Sequence, residues 1–277
     1  LTNLVYKIVD KNLETNNGEF DRKYIDKRLQ EKDNEGDETY KLSEAEIDNL
    51  IKMLLKFEIC FESPERKGKY VASQFLRKEK EKGISIHFKE LPIFYLEYPR
   101  FLNKNIMPRI ISRFGEYAKN ENTYWRNGIY FVDKETEVLI EGNPKERKIT
   151  FAIKGENRRE VFLKIDETIR KIHEDIEVDY YIRCFCPKCI KETKPHLYLY
   201  DNLKEDFRNG KNVYCEISRE LVDRKLYEDF LPKQEEKKEY FDGETFLDGS
   251  TKMQPNKKLI TEKEKEEPKK QKILLLS

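Results

Sequence analysis

Apolar positions along the chain change their spacing from segment to segment, and each change predicts an element. Ile47, Leu50, Ile51 and Leu54 recur at helical spacing. Ser43 and Glu46 ahead of them form an S-x-x-E capping box, with Leu42 and Ile47 where a hydrophobic staple closes. The expected helix runs to about Lys56 and buries one face. Directly after it, Phe57-Glu58-Ile59-Cys60-Phe61 alternates with a period of two, Ser63-Pro64 to Lys69 reads as a turn, and Tyr70-Val71-Ala72 resumes an extended run. A helix followed by a two-stranded wing is the outline of a winged helix. Cys60, alone on its strand, is expected to be a small core residue. The stretch up to about Lys41 mixes short apolar groups with the loop-like Asn16-Asn17-Gly18 and Asp33-Asn34-Glu35-Gly36-Asp37, which predicts two short helices with polar connections.

From Ile84 to Ile182 the pattern is that of a second unit. Ile93 to Tyr98 is an aromatic-rich strand; Ile106, Met107, Ile110, Ile111 and Phe114 give an amphipathic helix, with Pro108 tolerated in the first turn and Gly115 at its end. Three strands follow, Gly128 to Val132, Glu137 to Glu141 and Lys148 to Lys154, joined by Asp133-Lys134-Glu135-Thr136 and Gly142-Asn143-Pro144. In the third, Ile149, Phe151 and Ile153 share one face and Lys148, Thr150 and Ala152 the other, as in an antiparallel sheet with one face in water. Val161, Ile165, Ile169 and Ile172 describe a helix of about four turns, and Val178 to Ile182 another strand. The fold class expected is α+β: a helical, winged-helix-like N-terminal half, then an antiparallel-sheet and helix half with a zinc-ribbon-like cysteine insertion.

Charge narrows the function. With 55 Lys+Arg against 54 Asp+Glu in 277 residues the chain is close to neutral, which argues against a general polyanion binder. Much of the polarity lies in the alternating acidic and basic runs of residues 233–272, which read as a solvated linker. No apolar run approaches the roughly 20 residues that cross a bilayer and no signal-peptide pattern opens the chain, so a cytoplasmic protein without membrane contact is expected. The chain opens on Leu1, and residues 273–277 read like a strand cut off as it begins. A piece of a longer protein is expected on these grounds.

Four of the five cysteines fall in one region, Cys184, Cys186, Cys189 and Cys215. In a reducing compartment clustered thiols point to metal before disulfide. The C-P-x-C turn of Cys186 and Cys189 bends the backbone so that two thiolates converge on one ion, and a structural Zn2+ takes four such ligands in a tetrahedron. Cys215 would come from a second arm, after the extended run His196 to Tyr200 and the turn Asn209-Gly210. Cys184 is the expected fourth ligand, with His196 its competitor. Inert thiols and a redox disulfide are the alternatives. A catalytic zinc is disfavoured, because four thiolates leave no open position.

There is no G-x-x-x-x-G-K-[ST] and no G-x-G-x-x-G, so no nucleotide is expected to bind this chain. His87 and His173 have no Ser or Cys nucleophile pattern around them, and in so Glu-rich a chain paired carboxylates carry no signal. No catalytic residue is assigned. Arg109 and Arg113 share a face of their predicted helix and are placed to grip an anionic partner surface, solvated arginine being the plainer alternative. Trp125 at a strand entrance offers a large apolar area, with the stem of Arg126 covering apolar surface beside it. Core anchoring or a subunit interface would account for that pair.

Several segments together resemble the COR domain, the "C-terminal of Roc" region of Roco proteins. Leu54-Leu55-Lys56-Phe57-Glu58-Ile59-Cys60-Phe61 and Tyr70-Val71-Ala72-Ser73-Gln74-Phe75-Leu76 are similar to its helix, "KFELCY" strand and "YIAPQ-L" stretch, with Ser73 where the family has proline. Phe94-Tyr95-Leu96-Glu97-Tyr98-Pro99 and Ile106 to Phe114 are like its strand and "sRfi" helix. Tyr124-Trp125-Arg126-Asn127-Gly128-Ile129 looks like its "YWR-G" signature, and the cysteine cluster with Cys215 and Ser218 resembles the cysteine-bearing end of many prokaryotic members. The resemblance spans about residues 1–231. It implies residues 1–83 as a COR-A-like subdomain, 84–183 as a COR-B-like one that commonly dimerises, and a Roc GTPase domain in the same polypeptide ahead of Leu1. Residues 184–232 would be the zinc-ribbon-like cluster. The expected function is a non-catalytic dimerisation and coupling module that regulates the GTPase and relays its nucleotide state onward. The alternative is a zinc-ribbon and winged-helix nucleic-acid adaptor.

Overall fold

The computed structural model describes residues 2–32, 39–88 and 90–231. The acidic loop at 33–37, the charged linker and the last strand expected from the sequence lie outside them.

The first half holds α1 (Thr2–Ile8), β1 (Glu19–Asp21), α2 (Arg22–Gln30), α3 (Glu44–Lys56), β2 (Phe61–Glu62) and β3 (Lys69–Val71). Asp21 opens α2 by accepting the Tyr24 amide, and the capping box opens α3: Ser43 Oγ accepts the Glu46 amide while the Glu46 carboxylate accepts that of Ser43 at 2.8 Å. Ile47, Leu50, Ile51 and Leu54 turn inward from α3 and meet Ile8, Leu13, Phe20, Ile25 and Leu29 in one core. The strands form an antiparallel sheet in the order β1-β3-β2.

The strand expected from Phe57 is shorter than its alternation suggests. Phe57 caps α3 and is 63% exposed, Glu58 takes a left-handed φ of 59°, and pairing with β3 starts only at Phe61. The amides of Glu58 and Ile59 return to Leu55 and Leu54 carbonyls at 3.1 and 3.0 Å, a Schellman closure that commits this backbone to ending the helix. Cys60 is buried in the first core, and burial pushes its thiol up to about 12.

The second half is a seven-stranded antiparallel sheet with the order β10-β9-β4-β8-β7-β6-β5. Its strands are β4 (Phe94–Glu97), β5 (Tyr124–Trp125), β6 (Gly128–Asp133), β7 (Thr136–Asn143), β8 (Lys148–Lys154), β9 (Asp179–Arg183) and β10 (Leu197–Leu199). The meander β6-β7-β8 turns at Lys134 and Glu135, both at positive φ. Ile129, Phe131, Val138, Ile140, Ile149, Phe151 and Ile153 face one way and pack in a core with α5 (Ile106–Phe114) and α6 (Arg158–Ile172).

The opposite face is not left to water. Tyr130, Leu139 and Ala152 on it are covered by Ile84 of the short α4 (Lys82–His87), by Phe88 and by Trp125. At six residues α4 is too short to show a helical period that would announce that cover. Nor does Gly115 end α5 with a left-handed residue: its φ is −59° and the chain continues into a 3-10 turn, Gly115–Tyr117. Glycine is needed there because a Cβ would lie 2.3 Å from the Phe61 ring. Phe61, Val71 and Leu76 thus reach from the first half into the second core, where Phe61 meets Tyr124 edge-on at 5.2 Å.

After β10, where an extended run to Tyr200 was expected, the chain forms α7 (Tyr200–Arg208), then the hairpin β11 (Val213–Cys215) and β12 (Glu220–Val222). Tyr200, Leu203 and Phe207 bury its inner face. Phe94 of β4 packs on Phe162 and Tyr200, Phe162 on Phe230, Phe230 on Phe185, and Phe185 on Tyr227. That series of rings joins the sheet to the cysteine segment. Among the described residues no helix is long and apolar enough to cross a membrane.

Candidate metal centre

Cys184 leaves the end of β9, Cys186 and Cys189 sit on the turn that follows, and Cys215 ends β11. All four are buried, and their Sγ atoms lie within 4.8 Å of one another. Cys186 and Cys189 stand 3.7 and 3.6 Å from Cys215. Ligands at about 2.3 Å from a tetrahedral Zn2+ are about 3.8 Å apart, so these sulfurs already hold the spacing an ion of that kind requires. All the cysteines are free.

Donors around the cluster point at sulfur. The amides of Cys186, Cys189 and Ser218 donate to the Sγ atoms of Cys184, Cys186 and Cys215, each at 3.4 Å, and the Tyr198 hydroxyl donates to Cys184 at 3.5 Å. Burial pushes all four thiols up; against it, Ser218 holds Cys215 down, to about 6, and the amide of Cys189 helps hold Cys186 below the ordinary thiol value. Burial dominates at Cys184 and at Cys189, the latter pushed up to about 12. An ion bound by all four sulfurs takes them as thiolates, so its binding would displace whatever protons burial retains there. Four soft sulfurs within reach of one point, without a carboxylate among them, make a centre able to hold a metal ion and leave no position open for a substrate.

His196, weighed as fourth ligand, stands outside the cluster. Its carbonyl accepts the Cys184 amide at 2.8 Å, while its ring packs on Tyr198 and faces Glu216 at 3.8 Å. Sequence reasoning missed Arg183 and Tyr198 beside the centre. The alternation of β9 and β10 could have placed Tyr198, which pairs with Ile182 on the face that Cys184 continues, whereas Arg183 pairs with Leu197 on the other face and carries no such signal.

The other residues singled out in the sequence lie where the two halves meet. Arg109 donates to Glu58 at 3.0 Å and to the Ile172 carbonyl at 3.1 Å, and Arg113 pairs with the other Glu58 oxygen. Trp125 is buried under Lys80, whose ammonium stands 5.7 Å from the ring centroid. Arg126 donates to the Leu76 carbonyl and to Glu14, both at 3.0 Å. Nearby, the Ser73 and Ser112 hydroxyls meet at 2.8 Å, at the position where the resemblance implies proline. Glu58→Gln keeps the backbone and removes both ion pairs. It is expected to cost about 1 kcal/mol, seen as a lower urea midpoint at unchanged slope. An unchanged midpoint would mean that the two arginines are held by water alone.

The curated proteins include none that matches this chain. The model of the family described as "C-terminal of Roc, COR-B domain" matches residues 89–260. That span takes in all seven strands of the large sheet, α5, α6 and all four clustered cysteines, and leaves the first half, with its own resemblance at Leu54 to Leu76, outside. COR-B domains stand beside a Roc GTPase in Roco proteins, and it is to this COR-B family that the chain belongs.

Proposed function

We propose that the chain is a dimerisation and coupling module without catalysis of its own, which regulates an adjacent Roc GTPase domain and relays its nucleotide state to the domains that follow. The observation that carries this reading is the COR-B match on a scaffold whose first half is wedged into the second through Phe61, Val71 and Leu76. Coupling needs two arrangements of a packed interface, biased differently by the GTP and GDP forms of the neighbour. Arg109 and Arg113, with side chains 39% and 51% exposed, are the candidates for direct contact, while Trp125 and Arg126 brace the surface from within.

The finer architecture is part of the same proposal. The order α1-β1-α2-α3-β2-β3 with the sheet β1-β3-β2 supports a winged-helix-like COR-A half over residues 1–83. A COR-B half over 84–183 and a zinc-ribbon-like unit over 184–232 follow, the latter holding structural Zn2+ on Cys184, Cys186, Cys189 and Cys215. The protein would act as a homodimer in the cytoplasm. Light scattering of the chain should show a weak dimer, and malachite-green assays no GTP turnover; a monomer at every concentration would remove the dimerisation claim. A nucleic-acid adaptor is the competing reading. It is disfavoured by the wing, where Arg66 pairs with Glu121 and Lys69 with Asp21, both at 2.7 Å. A salt-dependent shift of labelled duplex would favour it.

A further inference from the structure

Arg183, among the described residues beside the cysteine cluster, is a buried cation that the metal reading leaves unexplained. It is 3% exposed and its guanidinium meets no carboxylate among the described residues. Its hydrogen bonds all go to backbone carbonyls: to Cys189 at 2.7 Å, to Glu192 at 3.0 Å and to Pro92 at 3.1 Å, while Nε has no partner. A buried cation without a counter-charge is costly, and carbonyl dipoles offset only part of that cost. Among the described residues the negative charge that would offset the rest is absent unless the sulfurs carry it. Four thiolates around a divalent cation sum to −2, and Arg183 immediately precedes the first of them while gripping the carbonyl of the third.

We propose that Arg183 is the built-in counter-cation of the metal centre, a positioning residue that sets the affinity and the preferred charge of the bound ion without touching it. This rests on the metal reading of the four cysteines. Through Cys189 and Glu192 the guanidinium fixes the carbonyl side of the C-P-x-C turn, and through Pro92 it anchors that turn to the entry of β4. Its positive charge favours the more negative of any two metal states, so a divalent ion is stabilised over a trivalent one in the same four sulfurs.

The test uses the full chain loaded with Zn2+ or with Fe2+, comparing wild type with Arg183→Lys, Arg183→Gln and Arg183→Met. Chelator competition should show Zn2+ affinity falling about 10- to 100-fold in the Gln and Met variants and only a few-fold in the Lys variant. In the iron-loaded protein the Fe3+/Fe2+ midpoint should move to lower potential in Gln and Met and stay near wild type in Lys, a change that loosened packing alone would not order by charge. Should Arg183→Met fail to fold, the Lys and Gln pair carries the comparison. Wild-type protein that binds neither ion overturns the metal reading and this inference with it. Tight binding with the same midpoint in all variants overturns the role of Arg183 and leaves the metal centre standing.

Discussion

One Zn2+ per chain is the expected result of mass spectrometry under non-denaturing conditions, and Cys186→Ser combined with Cys189→Ser is expected to abolish it. The two residues sit on one turn, and their sulfurs approach that of Cys215 at 3.7 and 3.6 Å, so serine in both places halves the donor set and leaves hard oxygens where soft sulfur is needed. An ion held about 1,000-fold above its dissociation constant adds roughly 4 kcal/mol to the folded state. In a folded region of this size that is about 10 °C of melting temperature. The fall should also appear when wild type is stripped with a chelator, and return on adding Zn2+. A metal-free chain of equal melting temperature would defeat the zinc assignment.

The second large effect concerns Trp125 and Gly128. A Cβ on Gly128 would lie 2.3 Å from the Trp125 ring and 2.7 Å from the Ile140 carbonyl, so the tryptophan occupies the space that the missing side chain leaves. The three-residue spacing of the "YWR-G" signature is thereby explained by packing across the β5-β6 turn, with Trp125 opposite Gly128 in register. Trp125→Ala should cost about 3–5 kcal/mol, as burial of its ring against Ile84, Phe88 and Tyr130 is lost. Gly128→Ala should cost about 1–3 kcal/mol by overpacking. The double variant should cost about 1 kcal/mol less than the sum, because removing the indole relieves one of the two clashes while Ile140 retains the other. Denaturant melts of the four proteins give the cycle, and strict additivity would show that ring and glycine do not share that space.

Elements defined by their own residues were legible in the sequence: the capped α3, the amphipathic α5, the β6-β7-β8 meander and α6 all follow from local spacing and caps. What escaped depends on partners distant in the chain. The left-handed Glu58 stands where glycine is usual and is flanked by arginines from α5, so no local signal marks it. The helix α7 has only Tyr200, Leu203 and Phe207 for an apolar face, and its first residue completed the alternation of the strand before it. At the metal centre the four sulfurs were readable from spacing. Arg183 was not, because one of the carbonyls that receive its buried guanidinium, that of Pro92, lies 91 residues earlier.

The series of rings from Phe94 through Phe162, Phe230 and Phe185 to Tyr227 bears on where this protein can be cut. Motifs divide the chain at the first clustered cysteine, but the same core continues past it to Leu231. A polypeptide ended at Arg183 would lose the strand that pairs with β9 and the buried rings of Tyr200, Phe207, Tyr227 and Phe230, leaving a greasy sheet border ready to stick to its own kind. The cysteine segment is thus a keystone rather than an ornament: whoever trims this protein for solubility should keep it whole, and whoever finds a shorter version aggregating need look no further for the cause.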